Sequence, residues 1–100
     1  MVKTIPFDAA RYMTSPESQQ DLLDDAFASG NAAYIANALG IIARARGMTE
    51  VAREAGVTRE ALYKSLSQEG DPRLTTLLGV ARALGVTLTA RIGQDTPQQK

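Results

Sequence analysis

Cysteine and histidine are both absent from the 100 residues of this chain. Zinc and iron–sulfur sites, thiol chemistry and histidine general-base catalysis rely on these two residue types, so composition excludes them. Long apolar runs are also missing, and none approaches the roughly 20 residues that a membrane-spanning helix needs. The opening MVKTIPFDAARY has no apolar segment of the kind a secretory signal needs, which predicts a cytoplasmic protein.

Net charge is lacking as well, since 11 basic residues balance 11 acidic ones. The distribution of these charges is uneven. Residues 1–43 hold two basic and five acidic residues, a net charge of −3, whereas residues 44–92 hold eight basic and five acidic residues, a net charge of +3. The second half therefore suits a nucleic-acid partner, and its modest excess favours a weak half-site reader that gains affinity by dimerisation.

The residues that are present fit one soluble globular domain, with 44% hydrophobic and 22% charged residues in a length that supports a single core. Groups suited to catalysis are sparse. Asp21 and Asp25 are spaced four residues apart, but no second acidic cluster, glycine-rich phosphate loop or nucleophile with a base accompanies them. We therefore expect no enzymatic activity, no metal site and no cofactor.

The most informative stretch is MTEVAREAGVTREALYKSL, residues 48–66. Thr49 is predicted to cap a short helix over residues 50–55, and Gly56 is predicted to end it by taking a positive φ. Thr58 is predicted to cap a second helix that runs to about Ser67. Two short helices joined by a glycine-containing turn form the unit that lays its second helix in the DNA major groove.

This helix pair has a predicted inner face and a predicted outer face. Ala52 is the small residue at the crossing of the helices, and the residues predicted to point into the core are Val57, Leu62 and Leu66. The outer face carries hydroxyls, charges and an aromatic ring that can contact bases and phosphates. The predicted DNA-binding residues are Thr49, Thr58, Arg59, Glu60, Tyr63 and Lys64.

Arg59 is the strongest of these candidates, and the others also have purely structural interpretations. Thr58 can be an N-cap alone, Glu60 can favour the helix dipole alone, and Lys64 can be solvated surface. Tyr63 can belong to the core, although its spacing from Arg59 favours the outer face. The Ala-x-x-x-Gly-Val motif can also be a tight corner of another kind of all-α protein.

Three further helices are predicted around this pair. The first starts at the Ser15-Pro16-Glu17 sequence and ends at Gly30. The second is capped by Asn31 and ends at Gly47. The third runs over residues 74–84, and its predicted inward residues are Leu74, Leu77, Leu78, Ala81 and Leu84.

The two ends of the chain are predicted to differ from this helical middle. Residues 3–13 begin extended and continue as a short helix capped by Asp8. Residues 86–92 alternate apolar and polar side chains, which predicts a half-buried β-strand with Val86, Leu88, Ala90 and Ile92 inward. A lone strand must pair, either with residues 2–5 or with its copy in a second subunit.

The helical corner, the DPR loop and the following amphipathic LTTLLGVARALGVTL occur in this order over residues 39–88. This stretch resembles the Cro/cI-like helix-turn-helix domain. The resemblance implies an all-α bundle of about five helices with a short C-terminal β-strand. We expect an N-terminal extension with the first helix in residues 1–30, the helix-turn-helix domain with its strand in residues 31–92, and a flexible tail in residues 93–100.

Nearly the full length carries further motifs, namely TIPFDAARY, the Ser-Pro-Glu helix start and, most specifically, ARARGMTEVAREAGVTREALYKSLS. Together they are similar to the addiction-module antidote proteins, which are Cro/cI-like antitoxins of type II toxin–antitoxin operons. The resemblance implies an antitoxin that represses its own operon and a toxin partner resembling the RelE/ParE ribonuclease superfamily. The alternative is a free-standing Cro/cI-like regulator of phage or host genes without a toxin.

Two interaction surfaces follow from charge and periodicity. The acidic stretch from Pro16 to Gly30, continuing onto the next helix, is either a solvated face or the surface that meets a basic toxin, with Phe27 or Tyr34 as an apolar anchor. Its acidic residues include Asp21, Asp24 and Asp25. The DNA-bound form is predicted to be a two-fold homodimer on an inverted repeat, with a seam that includes the last helix and the strand over residues 86–92.

Overall fold

The structure is a computed structural model that describes residues 14–93 of the chain. These residues form an all-α fold, as predicted, with five helices and no strand among them. In chain order the helices are α1 (Pro16–Ser29), α2 (Ala32–Arg46), α3 (Met48–Ala55), α4 (Arg59–Ser65) and α5 (Leu74–Leu84). In this part of the chain, no helix combines the length and the apolar character that crossing a membrane requires.

Local side-chain caps set the ends of the first two helices. The Ser15 hydroxyl accepts a hydrogen bond from the N–H of Ser18 at 3.1 Å, and the Asn31 side chain accepts one from the N–H of Tyr34 at 2.9 Å. Gly30 ends α1 at φ 66°, a left-handed conformation that costs glycine least. The predicted starts of α1 and α2 and the predicted end of α1 are therefore confirmed.

One hydrophobic core joins the helices. α1 packs on α2, α3 packs on α4 and α5, and α2 also contacts α3 and α5. Full burial of one leucine or isoleucine stabilises the fold by about 1.5–3 kcal/mol. The buried core residues are Leu23, Leu39, Ile42, Ala43, Met48, Val51, Ala52, Leu62, Leu66, Val80 and Leu84.

α2 passes very close to the end of α4 at Gly40. A Cβ atom at this position would lie 2.2 Å from the carbonyl oxygen of Leu66 and 3.3 Å from its carbonyl carbon. Because the obstructing atoms belong to the backbone, no side-chain rotation can relieve the clash. The missing side chain of Gly40 therefore permits the close packing of α2 on this segment.

Tyr34 links α2 to α1 through its hydroxyl, which donates a hydrogen bond to the Asp25 carboxylate. This bond raises the pKa of Tyr34 above its usual value, and partial burial and the charge of Asp25 act in the same direction. The Tyr34 side chain is half-buried. Of the two predicted apolar anchors, Tyr34 thus has its hydroxyl engaged within the fold, whereas Phe27 is 39% exposed.

Arg46 links the end of α2 to the end of α5. Its two terminal nitrogens donate to the carbonyl oxygens of Ala83 and Leu84 at 3.2 and 3.3 Å. The last carbonyls of a helix have no partner within the helix, and a cation is favoured at that negative end. Arg46 therefore caps the end of a helix at Ala83, 37 residues further along the chain.

α5 is rotated about its axis relative to the prediction. Leu74 and Leu78 were expected in the core but are 66% and 48% exposed. Gly79 faces α3 instead, so closely that a Cβ atom would lie 3.1 Å from the Cα atom of Ala55. This glycine contact brings the two helix backbones together and turns Leu74 and Leu78 outward. The buried residues of α5 are Gly79, Val80, Ala81 and Leu84, with Leu77 partly buried against the core.

Residues 86–92 do not form the predicted strand. The N–H of Val86 donates to the carbonyl oxygen of Ala81 at 2.8 Å, which closes the end of α5. No ladder hydrogen bond follows among residues 87–93. The predicted strand is therefore not confirmed: a strand needs a partner, and both predicted partners, residues 2–5 and a second subunit, lie outside the described residues.

The alternation of buried and exposed positions also stops early in this segment. Leu88 is half-buried, but Ala90 and Ile92, which were predicted to face inward, are exposed. The strand partner predicted at residues 2–5 lies outside the described residues. The same holds for the helix predicted after Asp8 and for the predicted tail beyond residue 93.

Candidate nucleic-acid interface

A tight turn at residues 56–58 joins α3 to α4. Gly56 takes φ 78°, and its N–H donates to the carbonyl oxygen of Arg53 at 3.2 Å. The N–H of Val57 donates to the carbonyl oxygen of Ala52 at 3.0 Å, so two of the last four carbonyls of α3 are satisfied inside the turn. The predicted role of Gly56 as the end of this helix is confirmed.

α4 begins at its predicted cap. The Thr58 hydroxyl accepts a hydrogen bond from the N–H of Ala61 at 3.0 Å. Leu62 is the buried residue within α4, and Leu66 is buried just beyond the helix. The helix ends at Ser65, about two residues earlier than predicted. Because one residue of α4 holds it to the core, most of its surface faces outward.

The six predicted DNA-binding residues are all exposed. Thr58 caps α4, and four of the others lie along α4 itself. The four residues on α4 are Arg59, Glu60, Tyr63 and Lys64. The structure thus brings five of the six residues to one short helix and its cap, while their contact with DNA stays a prediction.

Arg59 and Tyr63 interact with each other on this outer surface. The Arg59 guanidinium carbon lies 5.6 Å from the centre of the Tyr63 ring, a cation–π distance. Tyr63 is 42% exposed, which rules out the alternative that it belongs to the core. The stacked guanidinium keeps its planar fork and loses less side-chain freedom when it binds a further acceptor.

The charged side chains of α3 and α4 differ in whether they form salt bridges within the chain. Arg53 forms a salt bridge with Glu50 one turn earlier on α3, and this contact raises the pKa of Arg53. It is the one salt bridge among residues 14–93. Arg59 and Lys64 of α4 therefore have no carboxylate partner within this part of the chain, and their charges are available to an anionic ligand.

Thr49 does not cap α3, contrary to the prediction. Gly47, with φ 124°, precedes the helix and makes no side-chain cap hydrogen bond, so α3 begins at Met48. The freedom of Gly47 lets one residue end α2 and start α3. Thr49 is consequently an exposed residue of the first turn of α3 and does not lie on α4.

Two exposed residues of α5 were missed as candidates for function. Leu74 and Leu78 are one turn apart and form an apolar stripe on the surface. The sequence assigned them to the core because periodicity indicates that a helix has an apolar face without fixing its rotation.

Comparison with known proteins places this chain in a family. The family model described as probable addiction module antidote protein matches residues 3–92, which include all five helices. This chain belongs to that antidote family. An uncharacterised protein of Haemophilus influenzae is 45% identical over 80 residues, which cover 80% of this chain and 82% of that protein. No solved structure matches the chain.

Membership in the antidote family confirms the resemblance drawn from the sequence. An antidote acts within an addiction module, so the family implies a toxin as partner in general terms. The matched residues include both the α3–α4 pair and the acidic helix α1.

Proposed function

We propose that this protein is a DNA-binding antitoxin that neutralises a RelE/ParE-like toxin by direct binding and represses its own operon. The observation that carries the DNA-binding part is the outward stacking of Arg59 on Tyr63 along α4, with Leu62 holding the opposite side in the core. In this proposal, α3 and α4 are the two helices of a Cro/cI-like helix-turn-helix, and α4 enters the major groove.

The proposed contacts divide into two kinds. Arg59 is a base-reading candidate, because a guanidinium can donate two hydrogen bonds to the major-groove edge of a guanine. Thr58 and Lys64 are phosphate-contact candidates, and Thr49 can contribute from the first turn of α3. Glu60 can accept from a cytosine amine. The net positive charge of residues 44–92 supports this side of the molecule as the one that meets DNA.

A two-fold homodimer on an inverted repeat is part of this proposal. One unit with a net charge of only +3 over residues 44–92 is a weak DNA binder, and pairing two units adds their phosphate contacts. The exposed Leu74 and Leu78 stripe on α5 supports a seam on this helix, since a self-complementary apolar patch suits a two-fold interface.

The toxin-binding part rests on family membership and on the charge of α1. The helix carries Glu17, Asp21, Asp24 and Asp25 and no basic residue, so it suits a basic partner. The RelE/ParE-like nature of that partner rests on the sequence resemblance. We place both activities in the cytoplasm, and we assign no catalytic role, metal or cofactor to the protein.

Co-expression with the neighbouring small reading frame tests the antitoxin function. Its product should arrest growth when expressed alone, be tolerated when this protein is present, and co-purify with it. In parallel, the purified protein should bind a DNA fragment from upstream of its own operon more tightly than an unrelated fragment of equal length. A harmless neighbour that forms no complex, together with specific DNA binding, would support the free-standing regulator instead.

A further inference from the structure

A groove of about 670 Å³ lies between α1 and the segment that follows α5. Its α1 wall includes Leu23 and Phe27, and its opposite wall includes Leu84 and Leu88. Arg46, which caps α5, also lines it. Both walls of the groove thus carry apolar side chains among polar ones, Arg46 adds one cation, and the groove lies outside the α3–α4 pair that is proposed to bind DNA.

The wall formed by residues 86–89 is a segment outside the helices, and beyond the N–H of Val86 its backbone groups have no hydrogen-bond partner among residues 14–93. Thr87 and Thr89 are exposed while Val86 and Leu88 are half-buried, the alternation of a strand with one covered face. The N–H of Val86 is bonded within the chain, but residues 87–93 have no backbone hydrogen bond among the described residues. Such a segment can accept an added strand.

The wall formed by α1 supplies charge. Asp24 lines the groove, and its carboxylate accepts a hydrogen bond from Gln20 at 2.8 Å, which leaves the negative charge without a cationic partner among residues 14–93. Phe27, at 39% exposure, is an aromatic side chain suited to anchoring a partner. An occupant with basic side chains is thus favoured along this wall.

From these observations we propose that the groove is the toxin-docking surface, and that an extended basic segment of the toxin binds there by adding a strand to residues 86–92. This inference rests on the proposed antitoxin function. Main-chain hydrogen bonds to residues 87–92 would contribute affinity, while Asp24 and Phe27 would select the side chains of the incoming strand.

Charge favours a toxin segment over a second copy of this chain. Two-fold docking of two copies through this groove would bring one acidic α1 close to the other, and juxtaposed like charges oppose association. The chain's own residues 1–13 are the remaining competitor, and they hold Lys3 and Arg11 against Asp8. Both competing occupants are distinguished by the experiments below.

The first experiment measures binding of the purified neighbouring-frame protein to the full chain and to two charge-reversed variants. Asp24→Lys should weaken binding about tenfold, mainly through slower association, with less effect at high salt. Glu69→Lys is the matched control, because Glu69 is exposed in the loop after α4 and does not line the groove. Its affinity should equal that of the unmodified chain.

The second experiment is a proline scan over residues 87–90, which lie outside the helices. In an added strand only every second N–H faces the partner, and proline removes that donor. The two variants at alternate positions, either 87 and 89 or 88 and 90, should therefore lose about tenfold or more in affinity for the toxin. The other two should keep their affinity within about twofold. Circular dichroism checks that all four variants keep their helices.

The outcomes separate the docking surface from the function itself. If the unmodified chain does not bind the toxin, the proposed antitoxin function fails. If it binds and neither Asp24→Lys nor any proline variant weakens binding, the function stands and the groove is the wrong surface. Hydrogen exchange of the free protein completes the test, because protection of amides 87–91 without toxin would overturn the proposal. Protection that persists on dilution would assign the groove to residues 1–13 of the same chain. Protection that dilution removes would assign it to a second copy.

Discussion

Gly40 shows how the absence of one methyl group permits a helix contact. In most helix interiors, replacing glycine by alanine stabilises a protein by about 0.5–1 kcal/mol through the unfolded chain. Here the added Cβ atom would meet the carbonyl oxygen of Leu66 at 2.2 Å. The entropic effect of the substitution therefore raises stability and the steric effect lowers it, and the backbone clash is the larger of the two.

We predict that Gly40→Ala destabilises the protein by about 1–3 kcal/mol, the cost of overpacking a tight contact. Urea unfolding followed by circular dichroism measures this change. A higher unfolding midpoint in the variant would mean that helix propensity outweighs the clash and that α2 and the Leu66 segment are further apart than described.

Arg59 is the residue at which the DNA-binding proposal is most directly tested. Arg59→Ala should lose about 1–3 kcal/mol of specific binding to the protein's own promoter and leave the fold intact, because the side chain is exposed. Fluorescence anisotropy titration with promoter and unrelated DNA measures both affinities. Unchanged promoter affinity with a normal circular dichroism spectrum would show that the recognition surface is elsewhere.

Arg59→Lys is the matched variant, since it keeps the charge but loses the planar fork that binds two acceptors. If Arg59 reads a base, the lysine variant should lose discrimination between the two DNA fragments. If Arg59 contacts phosphate alone, the lysine variant should keep most of its affinity for both DNA fragments.

At the scale of elements, α4 is a helix of seven residues, too short to be stable by itself. It depends on the Thr58 cap at one end and on burial of Leu62 in the middle. The cap also faces the proposed DNA side, so its structural and functional roles have to be separated by substitution.

Thr58→Ala should destabilise the protein by about 1 kcal/mol, the usual cost of losing an N-cap. Thr58→Asp should restore stability, because aspartate is a good cap, but it should weaken promoter binding by placing a negative charge near phosphate. Thermal unfolding and anisotropy titration measure the two effects. Full promoter affinity in Thr58→Asp would leave Thr58 with a capping role only.

The rotation of α5 about its own axis determines which of its side chains are exposed. The contact of Gly79 with Ala55 of α3 decides which face of α5 is buried, and Leu74 and Leu78 are left on the surface. An exposed pair of leucines one turn apart is a candidate interface, because association removes their apolar area from water.

At the scale of the whole molecule, the proposed dimer can be tested through this leucine pair. The unmodified protein should be a dimer by light scattering, and the double variant Leu74→Lys with Leu78→Lys should be monomeric with unchanged helicity. The promoter affinity of the double variant should fall as the dimer is lost, since two half-sites about one helical turn apart need both copies of the protein. A monomeric unmodified protein that still binds its promoter tightly would contradict the dimer.

Much of the helical layout could be predicted from the sequence because its determinants are local. The caps Ser15, Asn31 and Thr58 bond to amides only three residues away, and Gly30 and Gly56 end helices through their own φ angles. The exposed set on α4 was predictable for a similar reason, since a short helix with Leu62 inward exposes the residues on its other sides. Thr49 is the local exception, because Gly47 starts α3 without a side-chain cap.

Long-range contacts were decided only by the tertiary structure. The rotation of α5 depends on Gly79 meeting Ala55, and the partner of Arg46 is the end of a helix 37 residues later. The alternation in residues 86–92 indicates a strand, yet the formation of a strand depends on a partner that residues 14–93 do not contain. Sequence periodicity describes one element at a time, whereas grooves, helix rotation and strand pairing arise between elements, where packing of distant backbone segments sets the free energy.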